Sequence, residues 1–130
     1  GVEFVGVPFG DEVALQAALD THGPVVVALD AGDALLQFYA SGVYLPPSSE
    51  RACSPRSPTH AFLLLGYRDE GADSYWILQS LWGRSWGEEG VLRLKKGSNL
   101  CGIATNAIYA RVVGNARGGA SQQPAAAQLS

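Results

Sequence analysis

The chain has 130 residues, 47% hydrophobic and 16% charged, a balance that supports one folded domain with its own core and excludes wholesale disorder. A formal charge of -3 at pH 7 provides no basic face for a phosphate backbone, so no nucleic-acid partner is implied. No apolar run approaches the roughly 18 residues of a helical membrane span, and the two cysteines and two histidines lack metal-site spacing, so neither a metal nor a cofactor is expected.

The chain opens on Gly1-Val2-Glu3-Phe4 without an initiator methionine or a signal peptide, and a mature fragment or separated chain is expected. Asp11 to His22 reads as a short amphipathic helix. Leu15, Ala18 and Leu19 fall at helical spacing, acidic residues occupy the first turn, and Gly23-Pro24 stops it. The β-branched run Val25 to Leu29 has the pattern of a strand buried on both faces. A helical turn over Ala34 to Tyr39 then leads through Ser41-Gly42 into Val43-Tyr44. Leu45 to Thr59 holds four prolines, four serines and a cysteine, which is the chemistry of a long loop that is functional or pinned.

Three strand-like segments follow, Ala61 to Tyr67, Tyr75 to Leu81 and Val91 to Lys95, and a last one spans about Thr105 to Val113. One early helix and then a run of antiparallel strands predicts an α+β domain with a barrel-like sheet over residues 1–113. From Gly114 to Ser130 the sequence is Gly, Ala, Ser, Gln and Pro with almost no large apolar side chain, so a flexible tail is expected there. The residues alone leave Cys53 and Cys101 open as buried thiols or as one disulfide.

The segment Tyr75 to Gly90, with Tyr75-Trp76, Ser80-Leu81-Trp82-Gly83 and Trp86-Gly87, resembles the signature Tyr-Trp-(apolar)2-Lys-Asn-Ser-Trp-Gly of papain-family, cathepsin-like cysteine peptidases. Thr59 to Tyr67 is similar to that family's histidine strand, Gly23 to Ala31 to its Gly-Pro strand, and Asn99-Leu100-Cys101-Gly102-Ile103-Ala104 to its closing Cys-Gly-Ile-Ala. The matches occur in family order over about residues 1 to 110. The resemblance implies a papain-like fold, of which this chain would be the right, histidine-bearing domain built around an antiparallel β-barrel. It also implies a left domain, as a separate chain or cleaved segment, that supplies the nucleophilic cysteine and the oxyanion-hole glutamine. A disulfide between Cys53 and Cys101 is implied as well, worth about 4 kcal/mol on a chain-entropy estimate. The implied location is lysosomal, vacuolar or secreted.

Thiol proteolysis needs a cysteine, a histidine that takes its proton, and a group that orients the imidazole. By resemblance His60 is the base, and Ser80 stands where the family has the orienting asparagine. A serine hydroxyl is shorter and turns freely, so it holds the ring less firmly. Gln79 and Leu81 also replace the family's lysine and serine, and Arg68 replaces a glycine. These departures favour a degenerate, non-catalytic or impaired protein with a peptide-binding or structural role. The alternative is slow or full endopeptidase activity with a complete left domain. Neither Cys53 nor Cys101 has the helix-start context of the family's nucleophile. The resemblance places Trp82 over the histidine and makes Ala28, Pro58, Thr59, Ala61 and Asn106 substrate-binding. Ala28, Pro58, Ala61 and Asn106 would wall the pocket for the residue two before the scissile bond, with Asn106 either offering a polar contact there or pointing to water. Trp86 is expected in the core, and His22 at the surface near a helix end.

Overall fold

A computed structural model describes residues 1–29, 39–45, 60–81 and 85–113. The 34–39 turn apart from Tyr39, the 45–59 loop apart from Leu45, and the 114–130 tail lie outside the described residues.

The helix forms where the apolar spacing and caps predict it. In α1 (Glu12–His22), Asp11 is the N-cap and accepts a hydrogen bond from the Ala14 N–H at 2.9 Å, a device worth about 1 kcal/mol. Gly23 closes the other end at φ 89°, its N–H donating to the Leu19 carbonyl. A residue with a Cβ would be strained at that φ. Leu15, Ala18 and Leu19 are the buried face, as their spacing requires.

The described strands are β1 (Val2–Gly6), β2 (Val25–Leu29), β3 (Val43–Tyr44), β4 (His60–Arg68), β5 (Tyr75–Ser80), β6 (Val91–Lys95) and β7 (Ala107–Val112). They form a seven-stranded sheet in the order β1-β7-β2-β4-β5-β6-β3, an α+β arrangement with α1 against it. Two features depart from the sequence reading. β1 was not foreseen as a strand, and it pairs with β7 from Val2 opposite Val112 to Gly6 opposite Ile108. The short β3 lies parallel to β6, where only antiparallel neighbours were expected. The long stretch between Tyr44 and the next strand lets the chain re-enter the sheet in the same direction, which a tight hairpin cannot do.

Val25, Val27 and Leu29 of β2 are fully buried, together with Phe62, Leu64, Leu78, Leu92 and Leu94 on the neighbouring strands. Direct cross-strand pairing of Val25 with Leu64, Val27 with Phe62 and Leu64 with Leu78 sets these side chains in rows, and Leu15, Leu19 and Ile103 complete the core. The opposite side of β2 is more open, with Ala28 half-buried. Val26 is 50% exposed, which corrects the expectation of burial on both faces. A β-branched run reports strand propensity at every position, but among the described residues the core side chains gather on the face of Val25, Val27 and Leu29.

Trp86 is partly buried against this core, with its ring 5.8 Å from Phe62 and 5.5 Å from Tyr39. Beside it Gly87 takes φ 63°, and a Cβ there would sit 2.8 Å from the Val91 carbonyl oxygen and 3.1 Å from the Tyr39 ring. Both the left-handed backbone and the backbone contact disfavour any side chain. Gly87→Ala is therefore expected to destabilise the chain by more than about 1 kcal/mol, seen as a lower urea midpoint with an unchanged slope.

Candidate active site

His60 opens β4 and Ser80 closes β5. The two strands are antiparallel, with Phe62 opposite Ser80. Because side chains alternate along a strand, His60 shares the face of Phe62, and so of Ser80. The two polar residues are thus diagonal neighbours at one end of the inner face, a separation of about 7–8 Å between their α-carbons for a regular pair. His60 also faces Leu29 across the β2 ladder and is half-buried. Ser80 is 4% exposed and is the buried polar residue among those described. Its N–H donates to the Gly90 carbonyl at 2.8 Å, so its backbone is fixed by a bond that does not involve the side chain.

On the other face of the sheet, Ala28 and Ala61 are direct partners across β2 and β4. The β2–β7 ladder runs Val26 opposite Ile108 and Val27 opposite Ala107, so its next step sets Asn106 beside Ala28. Asn106, Ala28 and Ala61 therefore form one row across three strands. Asn106 and Ala61 are exposed and Ala28 is half-buried. The row continues into an apolar face that the sequence reading missed. Phe4 is 77% exposed, Ile108 47% and, just past β5, Leu81 65%. Register produces it, since Phe4 lies opposite Ala110, Gly6 opposite Ile108, and Val26 opposite Leu63, and no local signal in the sequence sets that register.

Within this frame the model matching the chain is that of the papain family cysteine protease, over residues 2–111. The chain belongs to the papain family of cysteine proteases. It is 43% identical to human cathepsin L2 over 114 residues and 44% identical to mouse procathepsin L over 111, and it is 41% identical to digestive cysteine proteinase 1 of the lobster Homarus americanus. It spans about a third of the length of these relatives, 33% and 32% for the first two, while 84% and 82% of the chain is covered. Among solved structures, digestive procathepsin L 3 of Tenebrio molitor superposes with a TM-score of 0.74 at 39% identity, covering 84% of this chain and 34% of that one. The bromelain protease of Ananas comosus, in complex with the E64 inhibitor, does so with a TM-score of 0.72 at 32% identity, covering 85% and 50%.

The sequence-predicted residues thus fall into two groups, His60 with Ser80 on the inner face and Ala28, Ala61 and Asn106 on the outer. Both groups lie at the end of the sheet where β4 begins. Cys53, Pro58, Thr59 and Trp82 lie outside the described residues. Cys101 is buried, in a left-handed conformation at φ 55°. His22 ends α1 and is stacked on Tyr109 with ring centroids 4.6 Å apart, so it is packed more closely than a free surface residue. Among the described residues no three His, Cys, Asp or Glu side chains gather where a metal ion could be held, and no helix is long and apolar enough to cross a membrane.

A polar network at the far end of β4 was not read from the sequence. By its place in the first turn Glu12 is an acid that the helix dipole favours, and the structure gives it more partners than that. Its carboxylate accepts the Trp76 indole N–H at 2.8 Å and the backbone N–H groups of Gly97 and Asn99 at 3.0 and 2.7 Å. Lys96 lies over the Tyr67 and Trp76 rings, 4.7 and 4.8 Å from their centroids. The Tyr67 hydroxyl donates to Asp20 at 2.8 Å, and this hydrogen bond, then burial, raises the Tyr67 pKa above the usual tyrosine value. These contacts tie α1 to β4, β5 and the segment before β7.

Proposed function

We propose that this chain is the histidine-bearing half of a papain-type cysteine peptidase whose cleft still takes a peptide but whose turnover is impaired. The observation that carries this reading is the position of Ser80, nearly fully buried on the same face as His60 and at the place where the family carries an orienting asparagine. A serine hydroxyl is shorter than the amide it replaces and turns freely, so His60 would be held less firmly. An imidazole held less firmly spends less time in the geometry that stabilises a thiolate.

The half exposed around Phe4, Val26, Ile108 and Leu81 supports a second part of the proposal. An apolar face of this extent on one side of a sheet calls for a partner, and the left domain, present as another chain or a cleaved segment, would cover it and bring the nucleophilic cysteine to His60. Peptides would lie along the row Asn106, Ala28 and Ala61, with Pro58, Thr59 and Trp82 completing the cleft. Cys53 and Cys101 would form the disulfide, a pairing supported by the burial of Cys101 and by its not being a free thiol. The cathepsin L and digestive proteinase relatives favour a lysosomal, vacuolar or secreted location.

The alternative is an active thiol endopeptidase on pairing, and the uninterrupted row of small side chains beside Asn106 favours it. Covalent labelling separates the two. The chain assembled with its left domain should be alkylated by the epoxide E64 at mildly acidic pH about 10–100-fold more slowly than a family member carrying the asparagine, the usual loss when an orienting partner is weakened. The adduct is followed by mass spectrometry with His60→Ala as the baseline. Labelling as fast as in the asparagine-bearing relative would overturn the impaired reading.

A further inference from the structure

We infer that Asn99 is a positioning residue: its side chain fixes the turn that delivers Asn106 to the row with Ala28 and Ala61, and so sets how strongly the site distinguishes polar from apolar side chains on a bound peptide. The inference rests on the reading of that row as a side-chain pocket.

Asn106 is exposed, so its direction depends on the backbone on either side. On the far side the backbone is secured by β7, where Ala107 is buried opposite Val27 and its carbonyl accepts the Val7 N–H at 2.9 Å. On the near side there is no strand, only a turn, secured by the Gly10 N–H, which donates to the Ala104 carbonyl at 2.9 Å, and by the Asn99 amide. Its Oδ1 accepts the Ala104 N–H at 2.7 Å, while its Nδ2 donates to the Thr105 Oγ1 at 3.0 Å. One side chain thereby holds the two residues immediately before Asn106.

The turn is closed on itself by the bonds around that amide. Gly102 N–H donates to the Asn99 carbonyl at 3.0 Å and Thr105 N–H to the Gly102 carbonyl at 2.9 Å. A Cβ on Gly102 would lie 3.3 Å from the Thr105 Oγ1, so Thr105 is confined from that side too. Asn99 is itself fixed. Its backbone is left-handed at φ 49°, a conformation that asparagine tolerates better than most residues, and its N–H is held by Glu12 at 2.7 Å. The amide is therefore a pre-set brace whose loss leaves the turn to its backbone bonds alone and releases the Thr105 side chain next to Asn106. Local order of this kind matters for selectivity because a polar contact discriminates only when its donor or acceptor is already in place.

The experiment uses the chain assembled with its left domain and two peptides that differ only in carrying glutamine or leucine at the side chain that enters the row. Kd is measured for each by fluorescence anisotropy. A placed amide should favour glutamine by about tenfold, the usual size of one well-made hydrogen bond. Asn106→Ala should bring the ratio close to one. Asn99→Gly keeps the left-handed backbone and removes only the brace, and it should lose at least about threefold of the ratio. Asn99→Asp still accepts from the Ala104 N–H and from the Thr105 hydroxyl, and it should retain the ratio. Should Asn99→Gly not fold, Thr105→Val removes one contact at nearly constant shape and should shift the ratio in the same direction. A wild-type ratio in Asn99→Gly, or in Thr105→Val if only that folds, beside a collapsed ratio in Asn106→Ala would overturn the positioning role. An unchanged ratio in Asn106→Ala would instead bring down the pocket reading on which it rests.

Discussion

Trp76→Ala is expected to cost about 3–5 kcal/mol, the range for removing a large buried aromatic side chain, out of a total that for a small domain is about 5–15 kcal/mol. The indole is fully buried, lies in the β5 ladder between Tyr67 and Leu94, and is too large for its neighbours to fill the space it leaves. The loss is also electrostatic. Its N–H is one of three donors to the Glu12 carboxylate, and its ring is one of the two beneath the Lys96 ammonium. Trp76→Phe separates the contributions, because it retains most of the apolar volume and the ring face but gives Glu12 no hydrogen. A charged acceptor's bond is worth about 1.5–3 kcal/mol, so the phenylalanine variant should fall well short of the alanine one yet remain measurably weaker than wild type. Urea unfolding followed by far-UV circular dichroism gives both values. Equal stability of the phenylalanine variant and wild type would mean that the Gly97 and Asn99 N–H groups satisfy Glu12 unaided.

Trp76 also illustrates what could be read before the structure. Its place in a Tyr-Trp motif and the alternation from Tyr75 to Ser80 identified a strand, and the strand is there. Its partner Glu12 is 64 residues away, and nothing in a helix-start acid indicates which distant indole it will meet. Local signals recovered α1, because its caps and apolar spacing lie within one segment, and they recovered β2, β5 and β6. They missed β1, whose five residues form a strand only because β7 offers an edge to Val2, Phe4 and Gly6. They also overstated burial at Val26, since the propensity of a β-branched residue does not say whether an element covers it. The candidate site divides the same way. His60, Ser80 and Asn106 stood out by type and motif, but the row from Asn106 through Ala28 to Ala61 is a product of register across three strands. The Asn99 brace depends on a left-handed turn that the sequence only hints at with Gly102.

Ser80→Asn is expected to raise the rate of E64 alkylation of the assembled protein by about 10–100-fold while lowering the stability of the chain by about 1–3 kcal/mol, the usual penalty for inserting atoms into a packed site. Opposite signs are the physical content of the prediction. The position is 4% exposed, directly across from the fully buried Phe62, so an asparagine there must displace neighbours to fit. Its amide nevertheless extends farther toward the end of β4 where His60 begins, and the Ser80 backbone bond to Gly90 is unaffected by the exchange. Ser80→Ala supplies the complementary measurement. If the hydroxyl still steadies the imidazole, the alanine variant should be alkylated more slowly than wild type; if wild type and alanine react alike, the serine contributes packing alone. A rise in Ser80→Asn with no change in Ser80→Ala would then describe a site whose histidine has lost its orienting group altogether but whose surroundings can still use one. An unchanged rate in Ser80→Asn would show that the weakness lies in the left domain or its nucleophile, and the explanation built on Ser80 would fail.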